Sequence, residues 1–325
     1  MSKVIWGILG CGNVAEIKSG PAFQTTTCSE LRAVMRRNSK KAKDFAKRHH
    51  VPFWYDKAED LLKDPKINAV YIASPPASHL ELTLKAIKAG KNIYLEKPMA
   101  LNQDEAKIIL EALKNSSVKL TLAHYRRRLP AFIKVKKLLE EEVIGSIRFV
   151  DIQILQPSRS EIVAKTEKDW RLNPSISGGG YFHDLAPHQI DLMYFFFGNF
   201  NSAEGISLNQ GRQYGADDIV NGIASFENGI QLRAVWCFNV AADNQKDQCI
   251  IYGSKGYIKF SFFGEVVTLN LGNKSENFLF DSLSHIQQPM IKATVDYFTG
   301  KSANPCTGEE GLVTMEILDK FAGII

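Results

Sequence analysis

Nowhere does this chain run for about 18 apolar residues, the length a helix needs to cross a bilayer, so no membrane-spanning segment is expected. The opening MSKVIWGILG lacks a charged leader, a long apolar core and a small-residue cleavage site, and no export signal is expected. Cysteine is sparse: Cys11, Cys28, Cys237, Cys249 and Cys306 are odd in number, widely spaced and never in a CxxC pair. That argues against a disulfide framework and for a reducing, cytoplasmic compartment. HxxxH and HExxH are missing, so no metal is expected. Dense basic patches are missing too. The formal net charge is only +5, and lysines are interleaved with acids in KVKKLLEEEV, so neither a nucleic acid nor a membrane is an expected partner. Internal repeats and low-complexity tracts are absent.

What is present suffices for two cores. At 325 residues, with 45% hydrophobic and 23% charged, the chain exceeds the usual size of one domain and is ordinary for a globular protein. Up to about residue 123 short apolar runs (VIWGILG, LRAVMR, AVYIAS, NIYLEKP, VKLTLAH) alternate with helix-period segments such as KKAKDFAKRH and HLELTLKAIKAG. Strands of that kind are buried on both faces, which predicts an α/β, doubly wound parallel Rossmann sheet over residues 1–123. Residues 124–325 begin with a helix, PAFIKVKKLLEEE, and IRFVDIQIL. After a long irregular stretch come strand-like runs from IVNGIASFE to VVTLNL, with turns at Glu227-Asn228-Gly229 and Gly253-Ser254-Lys255-Gly256. This half is expected to be an α+β domain with a large, mostly antiparallel open sheet and helices on one face. Two closing helices are predicted, one starting at Pro289 and one at Thr307 with Glu310 three residues on.

The first strand ends in GxGxxA, written with Gly10, Gly12 and Ala15. Gly10 permits a tight turn, Gly12 lets the backbone approach a pyrophosphate, and Ala15 permits close packing of helix on strand. Gly10, Gly12, Asn13 and Val14 are therefore candidate cofactor residues, with Cys11 a small filler between the glycines. The second strand ends in Met35-Arg36-Arg37-Asn38-Ser39-Lys40-Lys41, with no acid before Asp44. A ribose 2′-hydroxyl calls for a carboxylate here and a 2′-phosphate for arginine, so Arg36, Arg37 and Lys41 predict NADP, with NAD as the alternative.

Three further segments carry chemistry. In Glu96-Lys97-Pro98 the residue before proline is kept out of the helical region, and a lysine at the carboxyl end of a parallel strand faces the crevice where ligands bind. Lys97 can donate a hydrogen bond to a reacting oxygen. After the run Gly178 to Gly180, the residues Asp184, His188 and Asp191 recur at i, i+4 and i+7, one face of a helix. A histidine with a carboxylate one turn away is a workable general acid or base. Pro187 removes a backbone bond, so this helix is expected to begin near Asp184 or to kink there. His183 and His188, five apart, diverge by roughly 140° and cannot chelate from one face; His183 is read as a packed or capping residue.

The ordered set GILGCGNVA, Glu96-Lys97-Pro98, Trp170-Arg171, GGG, Asp184, His188 and Asp191 resembles the Gfo/Idh/MocA oxidoreductase family over nearly the whole chain. The resemblance implies that Lys97 lies beside nicotinamide and substrate, often with a cis bond to Pro98, and that Glu96, Ser74, Pro75, His79, Trp170 and Arg171 adjoin the cofactor. It implies that His188 is the proton donor in ketone reduction, Asp184 its partner and a substrate ligand, and Asp191 a substrate or structural contact. AHYRRRLPAF replaces a stretch usually written with an asparagine and a single Arg-Phe. Tyr125 and Arg126 are taken as substrate residues, and the individual roles of Arg126 to Arg128 stay open. The implied activity is NAD(P)-dependent dehydrogenation or reduction at CH–OH groups of a sugar, sugar derivative or cyclitol. The implied assembly is a homodimer or homotetramer built on the helix-free face of the second sheet. The alternatives are dihydrodiol or biliverdin-type reduction, redox-assisted glycoside cleavage, and a cofactor-sensing regulator that has lost catalysis.

Overall fold

Val4–Leu9 (β1) is buried along nearly its whole length, which places it in the middle of a sheet covered on both sides. The computed structural model describes residues 2–159, 162–163 and 169–325. Around β1 run Ser29–Met35 (β2), Phe53–Tyr55 (β3), Ala69–Ile72 (β4), Asn92–Leu95 (β5) and Leu120–Leu122 (β6), in the order β3-β2-β1-β4-β5-β6. All five pairings are parallel. The order reverses between β1 and β4, so the turns after these two strands diverge at the switch point where such sheets bind ligands. The helices here are Gly20–Thr25 (α1), Ser39–Arg48 (α2), Ala58–Leu62 (α3), His79–Lys88 (α4) and Gln103–Lys114 (α5). α2 and α5 are capped by the side chains of Asn38 and Asn102, which accept from the N–H of Lys41 and Glu105.

By contacts the chain divides into two compact units, Met1–Tyr125 with Leu283–Met315, and Arg126–Ser282 with Glu316–Ile325. A single break at 123/124 made no provision for the return of 283–315 to the first unit. The physical reason lies in the core: Phe298 of the helix Gln288–Phe298 lies 5.7 Å from Trp6, and the Tyr94 hydroxyl donates to Gln287 Oε1 at 3.1 Å. The N–H of Leu122 donates to the Cys306 carbonyl, so the returning chain also occupies the free edge of β6.

In the second unit Pro130–Glu140 (α6) precedes an eight-stranded sheet of Ile147–Leu155 (β7), Phe200–Leu208 (β8), Ile219–Phe226 (β9), Gln231–Cys237 (β10), Lys246–Gly253 (β11), Tyr257–Phe260 (β12), Val266–Leu271 (β13) and Lys274–Leu279 (β14). The order is β14-β13-β12-β11-β7-β10-β9-β8, antiparallel except for β7 beside β10. The irregular stretch expected after β7 lies partly outside the described residues. The short helix Pro174–Ser177 (α7) is followed by Gly180–Phe197 (α8), which packs on the sheet through Phe182 against Trp236, with centroids 5.1 Å apart, and Phe197 against Phe226. Gln288–Phe298 (α9) and Gly308–Phe321 (α10) close the chain. The Thr307 N–H donates to Glu310 Oε2 and the Glu310 N–H to Thr307 Oγ1, the reciprocal cap read from the sequence.

Of the two alternatives for this helix, a start near Asp184 or a kink there, α8 excludes the first. It begins at Gly180, well before Asp184, and carries Pro187 inside it. Gly180 has φ +76° and a Cβ there would meet the Ala216 side chain at 2.5 Å, while its N–H donates to Ser177 Oγ at 2.9 Å. That cap starts the helix a full turn early, and packing outweighs the one backbone bond that proline forgoes. Asp184, His188 and Asp191 therefore all lie within one helix.

Candidate active site

In the first unit the carboxyl ends of β1, β4 and β5 form one frame. Gly10 has φ +96°, and a Cβ on it would fall 2.8 Å from the Ser74 nitrogen, so only glycine lets the first turn lie against the loop after β4. His79, fully buried, joins that loop to the next: its ring nitrogens lie 2.8 Å from the Ser74 carbonyl oxygen and 2.9 Å from that of Pro98. Burial pushes its pKa down, while the two carbonyl contacts pull it the other way. The Lys97-Pro98 bond is cis. Glu96 is buried and accepts from the Tyr71 hydroxyl at 2.5 Å, from Gln287 Nε2 at 2.6 Å and from the Lys97 N–H at 3.2 Å. Burial raises the Tyr71 pKa well above its ordinary value, which keeps that hydroxyl a donor. Lys97 is half-buried and leaves from this anchored strand end.

Around the glycine turn, Cys11 is fully buried and its thiol is pushed up to about 12 by burial, so it is an inert filler. Asn13 is exposed and Val14 half-buried. Arg36 is half-buried beside the turn, with Nη1 3.5 Å from the Cys11 carbonyl oxygen, and Arg37 is exposed. Glu16, the nearest acid after the turn, is engaged by Arg48 Nη2 at 3.0 Å and lies 2.6 Å from His49 Nε2. Arg48 and His49 hold its carboxyl below the usual range.

In the second unit both carboxylates on the α8 face are held by arginines. Arg171 Nε donates to Asp184 at 2.9 Å, and its guanidinium lies 4.5 Å from the Trp170 ring. Arg127 Nε donates to both oxygens of Asp191 at 3.0 Å, with Nη2 2.7 Å from Oδ1. Arg127 and Asp191 are 3% and 1% exposed, and burial raises the Asp191 carboxyl to about 6 against the pull of its arginine. His188 is buried between these two pairs along the helix, its ring edge-to-face with Phe263.

Residues 4–124 match a family model described as an oxidoreductase family with an NAD-binding Rossmann fold, and residues 132–259 match a Gfo/Idh/MocA C-terminal domain. The chain belongs to the Gfo/Idh/MocA oxidoreductase family. An oxidoreductase of Formosa agariphila is 50% identical over 322 residues, 99% of either chain. A levoglucosan dehydrogenase in complex with NADH and levoglucosan shares the fold with a TM-score of 0.87 at 21% identity, over 99% of this chain and 96% of that one. A mutant 3-ketoreductase from Actinomadura kijaniata in complex with TDP-benzene and NADP does so with a TM-score of 0.81 at 22% identity, over 98% and 96%. The chain is thus an oxidoreductase with an NAD-binding Rossmann fold.

Its glycine turn fits a dinucleotide. A Cβ on Gly12 would meet nothing nearer than the Gly10 carbonyl oxygen at 4.0 Å, so the glycine leaves open the space a pyrophosphate needs. Gly10, Gly12, Ser74, Pro75, His79, Glu96 and Lys97 gather in the first unit. Glu96 and His79 spend their polar atoms on the frame itself. In the second unit Trp170, Arg171, Asp184, His188 and Asp191 gather on α8 and the segment before it. Tyr125 is buried, and Arg126 donates to the Phe262 carbonyl. Arg127, Gln287, Tyr71 and Asp247 were not singled out from the sequence. Only Arg127, inside the YRRR run, carried any signal there. Among the described residues no group of three or more His, Cys, Asp or Glu is placed to hold a metal ion, and no helix is long and apolar enough to cross a membrane.

Proposed function

We propose that this oxidoreductase prefers NADP and acts on a secondary hydroxyl or ketone of a sugar, sugar derivative or cyclitol. The observation that carries the reading is the α8 face. Its two carboxylates are each engaged by an arginine, and His188 lies between them on the same helix, an imidazole of the residue type that serves as general acid or base. Asp184, fixed by Arg171, supplies the negative charge one turn from the imidazole and a ligand for a substrate hydroxyl. Lys97, fixed by the Glu96 and Pro98 anchors, donates a hydrogen bond to the oxygen that gains charge. The dinucleotide, when bound, supplies or accepts the hydride. Gly10, Gly12, Asn13 and Val14 would hold its pyrophosphate, and Arg36, Arg37 and Lys41 its 2′-phosphate. Glu16, neutralised by Arg48 and His49, presents no free carboxylate against that phosphate.

The test is a screen of NADPH oxidation and NADP reduction against ketoses, aldoses, anhydrosugars and inositols, with fluorescence titration of both cofactors. Turnover with a member of the panel and tighter binding of NADPH than NADH are expected. Replacing Arg36 by Asp should cost about 1 to 3 kcal/mol in NADP binding, the scale of one charge-assisted pair. Equal affinities in the unmodified protein refute the cofactor preference, and silence across the whole panel refutes the substrate class.

A further inference from the structure

The turn that follows β12 is fastened at three points. The N–H groups of Phe262 and Phe263 donate to the Asp247 carboxylate at 2.9 and 2.7 Å, and Arg126 Nη1 donates to the Phe262 carbonyl. The guanidinium of Arg126 lies 4.2 Å from the centroid of the Phe263 ring. On another side the His188 ring meets Phe263 at a centroid distance of 6.1 Å and an interplanar angle of 81°. Phe262 is 0% exposed, yet its neighbour Phe263 is left half-exposed. Arg126, 3% exposed, is a costly group to place in a core, and the half-buried Asp247 commits its carboxylate to the same turn. Their hydrogen bonds converge on a turn whose exposed cargo is one phenyl ring.

We propose that Phe263 is the apolar wall of the substrate position next to His188, and that Arg126 and Asp247 are positioning residues that hold it there. This rests on the reading in which His188 serves the substrate. A pyranose, an anhydrosugar or a cyclitol presents a face of C–H groups that packs against a phenyl ring, whereas an open-chain polyol offers hydroxyls on every side and loses torsional freedom on binding. The wall therefore selects substrates in ring form. It also explains why Arg126 is spent on the protein: its guanidinium occupies one face of the ring and leaves the remainder to the ligand.

The experiment uses the full chain with NADP present, saturation-transfer NMR with myo-inositol, 1,6-anhydroglucose and open-chain glucitol as probes, and kinetics wherever turnover occurs. In the unmodified protein saturation should reach the C–H groups of the two ring compounds more strongly than those of glucitol. Phe263→Leu should cut kcat/KM or binding for the ring compounds by about 10-fold, mainly through KM, and move glucitol little. Phe263→Tyr should restore the difference, and NADPH affinity should stay constant throughout. Arg126→Ala and Asp247→Asn should reproduce the loss of ring selectivity; should either fail to fold, the two Phe263 variants decide alone. An unchanged ratio of ring to open-chain binding in Phe263→Leu overturns the proposal, as does an equal loss for all probes. Transfer to ring compounds without turnover sinks the functional reading and leaves the wall standing; no transfer to any probe sinks the wall.

Discussion

Lys97 and His188 are held by unlike means, one by an anchored strand end and the other by helix packing, and the proposed chemistry gives each a separate role at the reacting oxygen. Lys97→Ala and His188→Ala should leave NADPH affinity within a small factor, because neither residue belongs to the glycine turn. Turnover should fall about 10² to 10⁴-fold in each, the usual worth of one acid-base group. Single-turnover NADPH oxidation across pH is the measurement. If His188→Ala keeps a near-normal rate and pH profile, the proton comes from Lys97 or Tyr125 instead. His183, one residue before Asp184, behaves differently. Burial pushes its pKa down to about 4 despite the nearby Asp217 charge, so the folded protein holds this ring neutral. The unfolded chain, with an ordinary value near 6.5, takes up the proton first. The neutral ring's contribution is complete above about pH 6.5 and is lost as pH falls toward about 4, amounting to about 3 kcal/mol. Urea midpoints between pH 4.5 and 7 should fall more steeply in the unmodified protein than in His183→Gln. Parallel slopes would remove His183 from the account.

At the scale of elements, what was legible had a local cause. β1, β2, β4, β5 and β6 are short apolar runs because a parallel sheet buries both faces, and α10 announces itself through the Thr307 and Glu310 side chains that cap its first turn. β14 was not legible: Lys274–Leu279 is almost wholly exposed and lies at the edge of its sheet, where pairing with β13 requires no apolar pattern. The start of α8 was not legible because a rule about Pro187 is local, whereas the start at Gly180 depends on Ala216 and Ser177. The site divides in the same way. Glycines and the Glu-Lys-Pro turn are contiguous and can be read from sequence. Glu96 with Gln287 and Arg127 with Asp191 join residues 191 and 64 positions apart, and no period or spacing records such a pair. Arg126 was read as a substrate residue; its position on Phe263 depends on a turn more than a hundred residues downstream, at a sequence separation of 136 for its bond to Phe262.

At the scale of the whole molecule, the second sheet has one face packed under α8 and another that is too apolar for water alone. Ile206, Ile223 and Leu208 are 67%, 62% and 53% exposed, on the two outermost strands at that end of the sheet. Toward the middle, Phe149 stacks on Tyr252 at 4.6 Å, and Arg233 is paired with Asp151 at 2.7 Å. Phe149, Glu204, Ile223 and Arg233 border a depression of about 530 Å³. Contiguous apolar surface with a few charged pairs among it is the character of an interface, and a face that meets its own copy needs only twofold symmetry to close. The proposal is a homodimer, or a homotetramer built from such dimers, joined through this face. Sedimentation or light scattering at micromolar concentration should give a mass at least twice that of one chain. Ile206→Lys with Ile223→Lys places four like charges at a twofold contact and should shift the mass toward one chain. Because both side chains are already exposed, the thermal unfolding of the separated chain should change little. A monodisperse mass near one chain in the unmodified protein removes the dimer. A double variant that keeps the full assembly moves the contact to a different surface.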